Sequence, residues 1–286
     1  MRWWISIGTL CVMGVLDWGD VVQVSAAPRA QPTQQPQQLN EKEAGSVDVE
    51  LILAVDVSYS MDLDELAIQR EGYAQAIASK EFLQALKNGP NGRIAITYFE
   101  WAASGDQKII IPWRLIEGPE SADAVSAEIM KTPIRRASRT SISGAINFAM
   151  PLFDEDPYRG LRRVIDISGD GPNNSGGPVT IARDEAVSKG IVINGLPVMV
   201  KEPSFSTMDI ENLDLYYKDC VTGGTGSFVI PIKSREEFKE AIRTKLLMEV
   251  AGRIPERHIV PVADEPREPR VSCTIGEKIW QDRWGR

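Results

Sequence analysis

The run from Val49 to Val57 constrains this chain more than any other stretch. It is apolar at almost every position, with Glu50 and Asp56 as its acids, and such a run suits a strand covered on both faces of a sheet. Beyond Val57 helical and extended patterns alternate. Asp62 with Glu65 three residues on reads as a capping box for a helix to about Lys87, with Leu66, Tyr73 and Ile77 on one stripe. Arg93 to Trp101 and Lys108 to Ile116 read as strands joined by a short Ser-Gly-Asp turn, hence an antiparallel hairpin. Helices are predicted at Ser121–Lys131, Ser143–Phe153, Val179–Lys189, Glu211–Cys220 and Glu236–Val250, and further strands at Arg163–Ser168, Ile191–Val200 and Ser227–Ile232. Alternation of this kind implies a doubly wound α/β domain, a mostly parallel six-stranded sheet with helices on both faces.

In such a sheet ligands sit outside the carboxyl ends of the strands, where the strand order reverses. Two of those ends carry oxygen-bearing side chains. Asp56-Val57-Ser58-Tyr59-Ser60 leaves the first strand directly, and Asp170 follows the strand that ends near Ser168, within Ser-Gly-Asp-Gly. Thr140 begins Thr-Ser-Ile-Ser-Gly at a predicted loop-to-helix junction. Hydroxyls and carboxylates are hard ligands, suited to Mg²⁺, Mn²⁺ or Ca²⁺ and poorly suited to zinc. With three hydroxyls and two carboxylates, a dication held by Asp56, Ser58, Ser60, Thr140 and Asp170 keeps its electrophilicity and a position for a partner's acidic group.

Asp-x-Ser-x-Ser after the first strand, Thr140 before an aliphatic helix, and Asp170-Gly171 after a later strand resemble, in order, the three pieces of the metal-ion-dependent adhesion site (MIDAS) of von Willebrand factor A domains. The resemblance spans roughly residues 47 to 251, and the wording around Arg163–Asn174 and Ile193–Pro197 is similar to an exported bacterial branch of that superfamily. It implies a Rossmann-like fold and a non-enzymatic domain that binds a protein or peptide carboxylate through Mg²⁺. It also implies that Ser58, Ser60 and Thr140 contact the ion directly or nearly so, with Asp56 and Asp170 often acting through water. Gly169 departs from the pattern, which commonly has Thr or a similar residue before the Asp. Glu100, Trp101, Asn173 and Asn174 fall on the same predicted rim as secondary candidates, with packing and turn formation as their simpler roles.

Each piece has a plainer reading: Ser60 or Asp62 as a cap of the next helix, Thr140 as an N-cap, Asp170-Gly171 as a turn. A haloacid-dehalogenase-like phosphohydrolase with Asp56 as nucleophile is the enzymatic rival. It wants an acid or Thr two residues after the nucleophile and further acids for Mg²⁺, where this chain has Ser58 and Asn174. A metal-free structural domain is the third reading. The single histidine, His258, lies in a proline-rich stretch, and no Gly-x-Ser-x-Gly elbow occurs, so a serine hydrolase is excluded.

The ends differ from the middle. Residues 1–26 read as a signal peptide: Arg2, an apolar run from Trp3 to Leu16, and Val24-Ser25-Ala26 before a cleavage point, with an uncleaved anchor as the alternative. Residues 27–46 are rich in Gln and Pro and read as a disordered linker, and 252–286 as an extended tail. Export places the mature chain in the periplasm or outside the cell, without membrane insertion. Removal of the leader leaves Cys220 and Cys273, a candidate disulfide in an oxidising compartment, with two separate buried thiols as the alternative. A net charge of -8 disfavours a nucleic-acid partner and suits a cation.

Overall fold

In the computed structural model, residues 45–200, 209–251 and 269–284 are described. The expected leader, residues 27–44 of the Gln/Pro linker and residues 252–268 and 285–286 of the tail lie outside them, and Ser46, the last residue of the expected linker, already belongs to the sheet. Five strands form one sheet in the order β3-β2-β1-β4-β5. They are β1 (Ser46–Asp56), β2 (Ile94–Trp101), β3 (Gln107–Ile116), β4 (Arg159–Gly169) and β5 (Ile191–Pro197). β1 lies between β2 and β4 and pairs with both in parallel, and every residue of it after Ser46 is buried. The apolar run thus marks the centre of the sheet, and β3 closes one edge as the antiparallel hairpin that the short turn predicts.

Two layers of helices cover the faces. On one lie α1 (Leu63–Ile77), α2 (Lys80–Lys87), α3 (Pro119–Lys131) and α7 (Phe238–Ala251), around Leu51, Leu53, Tyr73, Phe82, Ile96 and Leu246. On the other lie α4 (Ile142–Glu155), α5 (Val179–Ser188) and α6 (Leu213–Tyr216), around Ile52, Phe99, Ile146, Phe153, Ile167 and Tyr217. Alternate β1 residues feed the two cores, as the two-residue period of a strand requires.

Three expectations are corrected. The helix from Asp62 to Lys87 is two helices, because the Ser79 hydroxyl accepts the Phe82 N–H at 3.2 Å and starts α2 afresh. Ser227–Ile232 is not a strand of the sheet. It follows β5 through isolated parallel bridges at Val229 and Ile232, where the Ile230 and Ile232 N–H groups donate to the Gly195 and Pro197 carbonyls, and Pro197 between the bridges has no N–H to complete the ladder. The tail is not extended throughout, since Ile275–Trp284 form α8. Cys220 and Cys273 are bonded, with Cα atoms 5.4 Å apart, and this bridge ties the segment before α8 to the domain. No helix among the described residues is long and apolar enough to cross a membrane.

Candidate functional site

Strand order reverses at β1: the chain passes to β2 on one side and later to β4 on the other, so the crevice between the ends of β1 and β4 is the switch point. Val55 and Ser168 pair across it, which sets Asp56 beside Gly169 and Asp170. Asp56 is fully buried and accepts the Ser58 N–H on Oδ1 at 2.7 Å, an Asx turn that bends the chain out of the strand. The bend brings the Ser58 and Ser60 hydroxyls within 2.8 Å of each other, and Ser60 donates to Asp170 Oδ1 at 2.6 Å. Side chains 110 residues apart in sequence therefore meet in one chain of hydrogen-bonded oxygens.

The helix caps beside the site are filled by other residues. Asp62 is the N-cap of α1 and exchanges the predicted capping-box bonds with Glu65, both at 2.8 Å. Ser141 is the N-cap of α4 and accepts the Gly144 N–H at 3.1 Å. Neither Ser60 nor Thr140 is thus used as the cap of its neighbouring helix. Thr140 reaches the same edge through backbone bonds around it: Ala137 N–H to the Val57 carbonyl at 2.9 Å, and Ser141 N–H to that of Ala102 at 2.7 Å. Asn174 then clamps it from the β4 side, donating its N–H to the Thr140 carbonyl at 2.8 Å and accepting the Thr140 N–H on Oδ1 at 2.9 Å. Arg139, just before Thr140, has a φ of 69°, a left-handed value that is uncommon outside glycine and concentrates at functional sites.

Burial raises the Asp56 carboxyl well above the usual carboxylate range, and the like charge of Asp170 raises it further. Among the described residues, Asp56 Oδ2 is buried without a hydrogen-bond partner. Two acids close together in a dry site, with an orphaned carboxylate oxygen, suit a hard dication, which would relieve both penalties. No group of three or more His, Cys, Asp or Glu that could hold a metal occurs among the described residues.

The secondary candidates have other roles. Glu100 is buried and ion-paired with Arg70 and, at 3.1 Å, with Arg135, while Trp101 is fully buried in the core. Asn173 is a hub: its Oδ1 accepts the Ser143 N–H at 3.0 Å, its N–H donates to the Tyr216 hydroxyl at 3.1 Å, and its Nδ2 donates to Glu277 of α8 at 2.7 Å. Gly276 of α8 packs so tightly on the Asn173 carbonyl that no Cβ fits. Sequence reasoning missed Tyr216 and the π-turn Tyr217–Val221 behind the site. Single aromatics carry no spacing signal, although π-turns recur at functional sites.

The sequence matches, over residues 46–254, the family described as "Protein of unknown function (DUF1194)". The chain belongs to the DUF1194 family. Its fold is that of a von Willebrand factor A domain. Similar solved structures include proximal thread matrix protein 1 from the mussel byssus, 11% identical with a TM-score of 0.54, over 72% of this chain and 49% of that one. The same protein is known with a zinc occupied MIDAS motif, at 13% identity and TM-score 0.53, over 72% of this chain and 48% of that one. The pilus adhesin SpaC from Lactobacillus rhamnosus GG is 11% identical, with a TM-score of 0.52 over 71% of this chain and 31% of that one. The DUF1194 chain thus spans about half or less of the length of these proteins. No curated protein matches the sequence.

Proposed function

We propose that this chain is a non-enzymatic binding domain in which Asp56, Ser58, Ser60, Thr140 and Asp170 hold Mg²⁺, with Mn²⁺ or Ca²⁺ as alternates, and a partner protein or peptide presents a carboxylate to it. The observation that carries the reading is the oxygen chain Ser58–Ser60–Asp170, with buried Asp56 beside it, at the switch point of the sheet. The ion would supply an electrophilic centre. The chain's own groups position it, and since three of the five are neutral hydroxyls the ion would keep electrophilicity toward a partner's carboxylate.

The surroundings support an acidic partner. Tyr59, between the two serines, is 60% exposed, and the Arg136 guanidinium lies 5.4 Å from its ring centroid. Arg139 stacks 4.1 Å from the ring centroid of Trp280. In a chain of net charge -8, two arginines beside the site favour acidic segments over basic ones. The mussel matrix protein with its zinc occupied MIDAS motif and the pilus adhesin support metal-dependent adhesion as the functional class.

The phosphohydrolase reading is weaker. The amide of Asn174, where that chemistry wants an acid, is tied to the Thr140 backbone. The Cys220–Cys273 bond supports an oxidising compartment, and with the leader it favours the periplasm or secretion. Boundaries of 1–26, 27–46, 47–251 and 252–286 for leader, linker, domain and tail belong to the same proposal.

Titration calorimetry with Mg²⁺ and Mn²⁺ tests it. Binding by the wild-type chain that disappears in Asp56→Ala and Ser58→Ala is expected, together with partner capture that EDTA abolishes. Partner capture indifferent to EDTA, or phosphatase activity abolished by Asp56→Asn, would refute it.

A further inference from the structure

A buried donor and a buried acceptor border one small space behind the site. A Cβ on Gly169 would lie 2.9 Å from Asp56 Oδ2 and 2.9 Å from the Tyr217 hydroxyl, so both atoms border the same small space beside the Gly169 Cα. Neither has a hydrogen-bond partner among the described residues, and both residues are fully buried. Leaving a carboxylate oxygen and a phenol unsatisfied in a dry interior is costly. Two such groups aimed at one point are complementary, since a phenol donates and a carboxylate accepts.

The Tyr217 ring is held from several sides. A Cβ on Gly195 of β5 would come within 2.7 Å of Tyr217 Cδ1, so the ring packs closely against the backbone of that strand. Thr222 N–H donates to the Tyr217 carbonyl at 2.8 Å, which closes the π-turn. Tyr216, immediately before it, accepts from Asn173 beside Asp170, and Cys220, within the turn, is bonded to Cys273.

We infer that Tyr217 is a positioning residue for the cation site, its hydroxyl closing on Asp56 Oδ2 across the Cα of Gly169 and so fixing the orientation of that carboxylate toward the ion. The inference rests on the metal reading above. Gly169 is part of the device, since any side chain there would fill the space through which the two groups meet. Partners of this kind, one step behind a metal's ligands, typically change affinity about 10- to 100-fold when removed.

The experiment is Mg²⁺ and Mn²⁺ titration calorimetry on the full chain, wild type against Tyr217→Phe, with thermal melts in EDTA alongside. The phenyl ring keeps the packing, so the metal-free melting temperature is expected to stay the same or rise slightly, while Kd weakens about tenfold or more. A wild-type Kd in Tyr217→Phe overturns the inference and leaves the metal site standing. A lower metal-free melting temperature with an unchanged metal-induced stabilisation also overturns it, since the hydroxyl would then be structural. A wild-type chain that binds neither ion removes the proposed function and this inference together.

Discussion

Beneath α7 lies a charge cluster with no exposure, and replacing Lys245 by Met tests what it does. Lys245 Nζ of α7 sits 2.9 Å from Asp166 Oδ1 of β4 and 3.2 Å from Glu249 Oε1 one helical turn on. Asn194 of β5 donates Nδ2 to both Glu249 oxygens, at 2.8 and 2.9 Å, and the Phe228 ring centroid lies 4.8 Å from Nζ. All three charged side chains are fully buried. One ammonium therefore serves two carboxylates, and its loss leaves both without a counter-charge. Breaking a buried pair from one side typically costs about 3–5 kcal/mol, a large part of the roughly 5–15 kcal/mol that holds a domain folded. At about 2–4 °C per kcal/mol for a domain of this size, Lys245→Met should lower Tm by roughly 6–20 °C. Burial raises the Asp166 carboxyl, and Lys245 is the main influence lowering it after that, so removing the lysine raises it further. An acid with a raised folded-state value gives its stability below its unfolded value and loses it as pH rises through the folded one. The deficit of the variant should thus be larger at pH 8 than at pH 5. Thermal and urea unfolding followed by circular dichroism measure both. A shift of under 2 °C, or a deficit that grows as pH falls, would show that the cluster is not held by this charge balance.

Two further outcomes are expected. Burial, reinforced by Glu50, pushes the Asp156 carboxyl up to about 6, so the ionised form burdens the fold at neutral pH. Asp156→Asn keeps an oxygen for the Tyr158 N–H and should raise Tm at pH 8, the gain fading as pH falls from about 6 toward 3.8, and a gain that persists in acid would contradict this. Cys273→Ser opens a loop of 53 residues, whose closure is worth up to about 4 kcal/mol, and it should lose amide protection in α8 first, as hydrogen exchange would read.

The parts of the fold legible in the sequence were those whose signal is local or periodic. β1 announced itself as central because both faces are apolar, and Asp62 with Glu65 announced the start of α1 because a capping box spans only four residues. The break at Ser79 was hidden, since apolar spacing continues across it and one serine decides it. Residues 227–232 carried strand composition, yet a full ladder needs a donor at Pro197 of β5, which has none. α8 was masked by the prolines before it, and its place depends on a bond to Cys220 that sequence left as one of two alternatives. At the site, the hydroxyl and carboxylate groups stood in recognisable order. What surrounds them did not: Asn174 reads as an ordinary turn residue, and Tyr217 comes to the Gly169 Cα beside Asp56 from 161 residues away with no motif around it.

The wide turn at Tyr217–Val221 sets a phase relation that the rest of the molecule uses. A π-turn behaves as an α-helix with one residue too many, and deleting Lys218 would restore ordinary winding while rotating everything after it by about 100°. The thiol of Cys220 would swing away from Cys273, although both tyrosines stay in place. The surplus residue is therefore the gear that lets one short segment face the crevice with its phenols and the tail with its sulfur, and chains that share this crevice but lack the surplus would have to hold their last helix by other means.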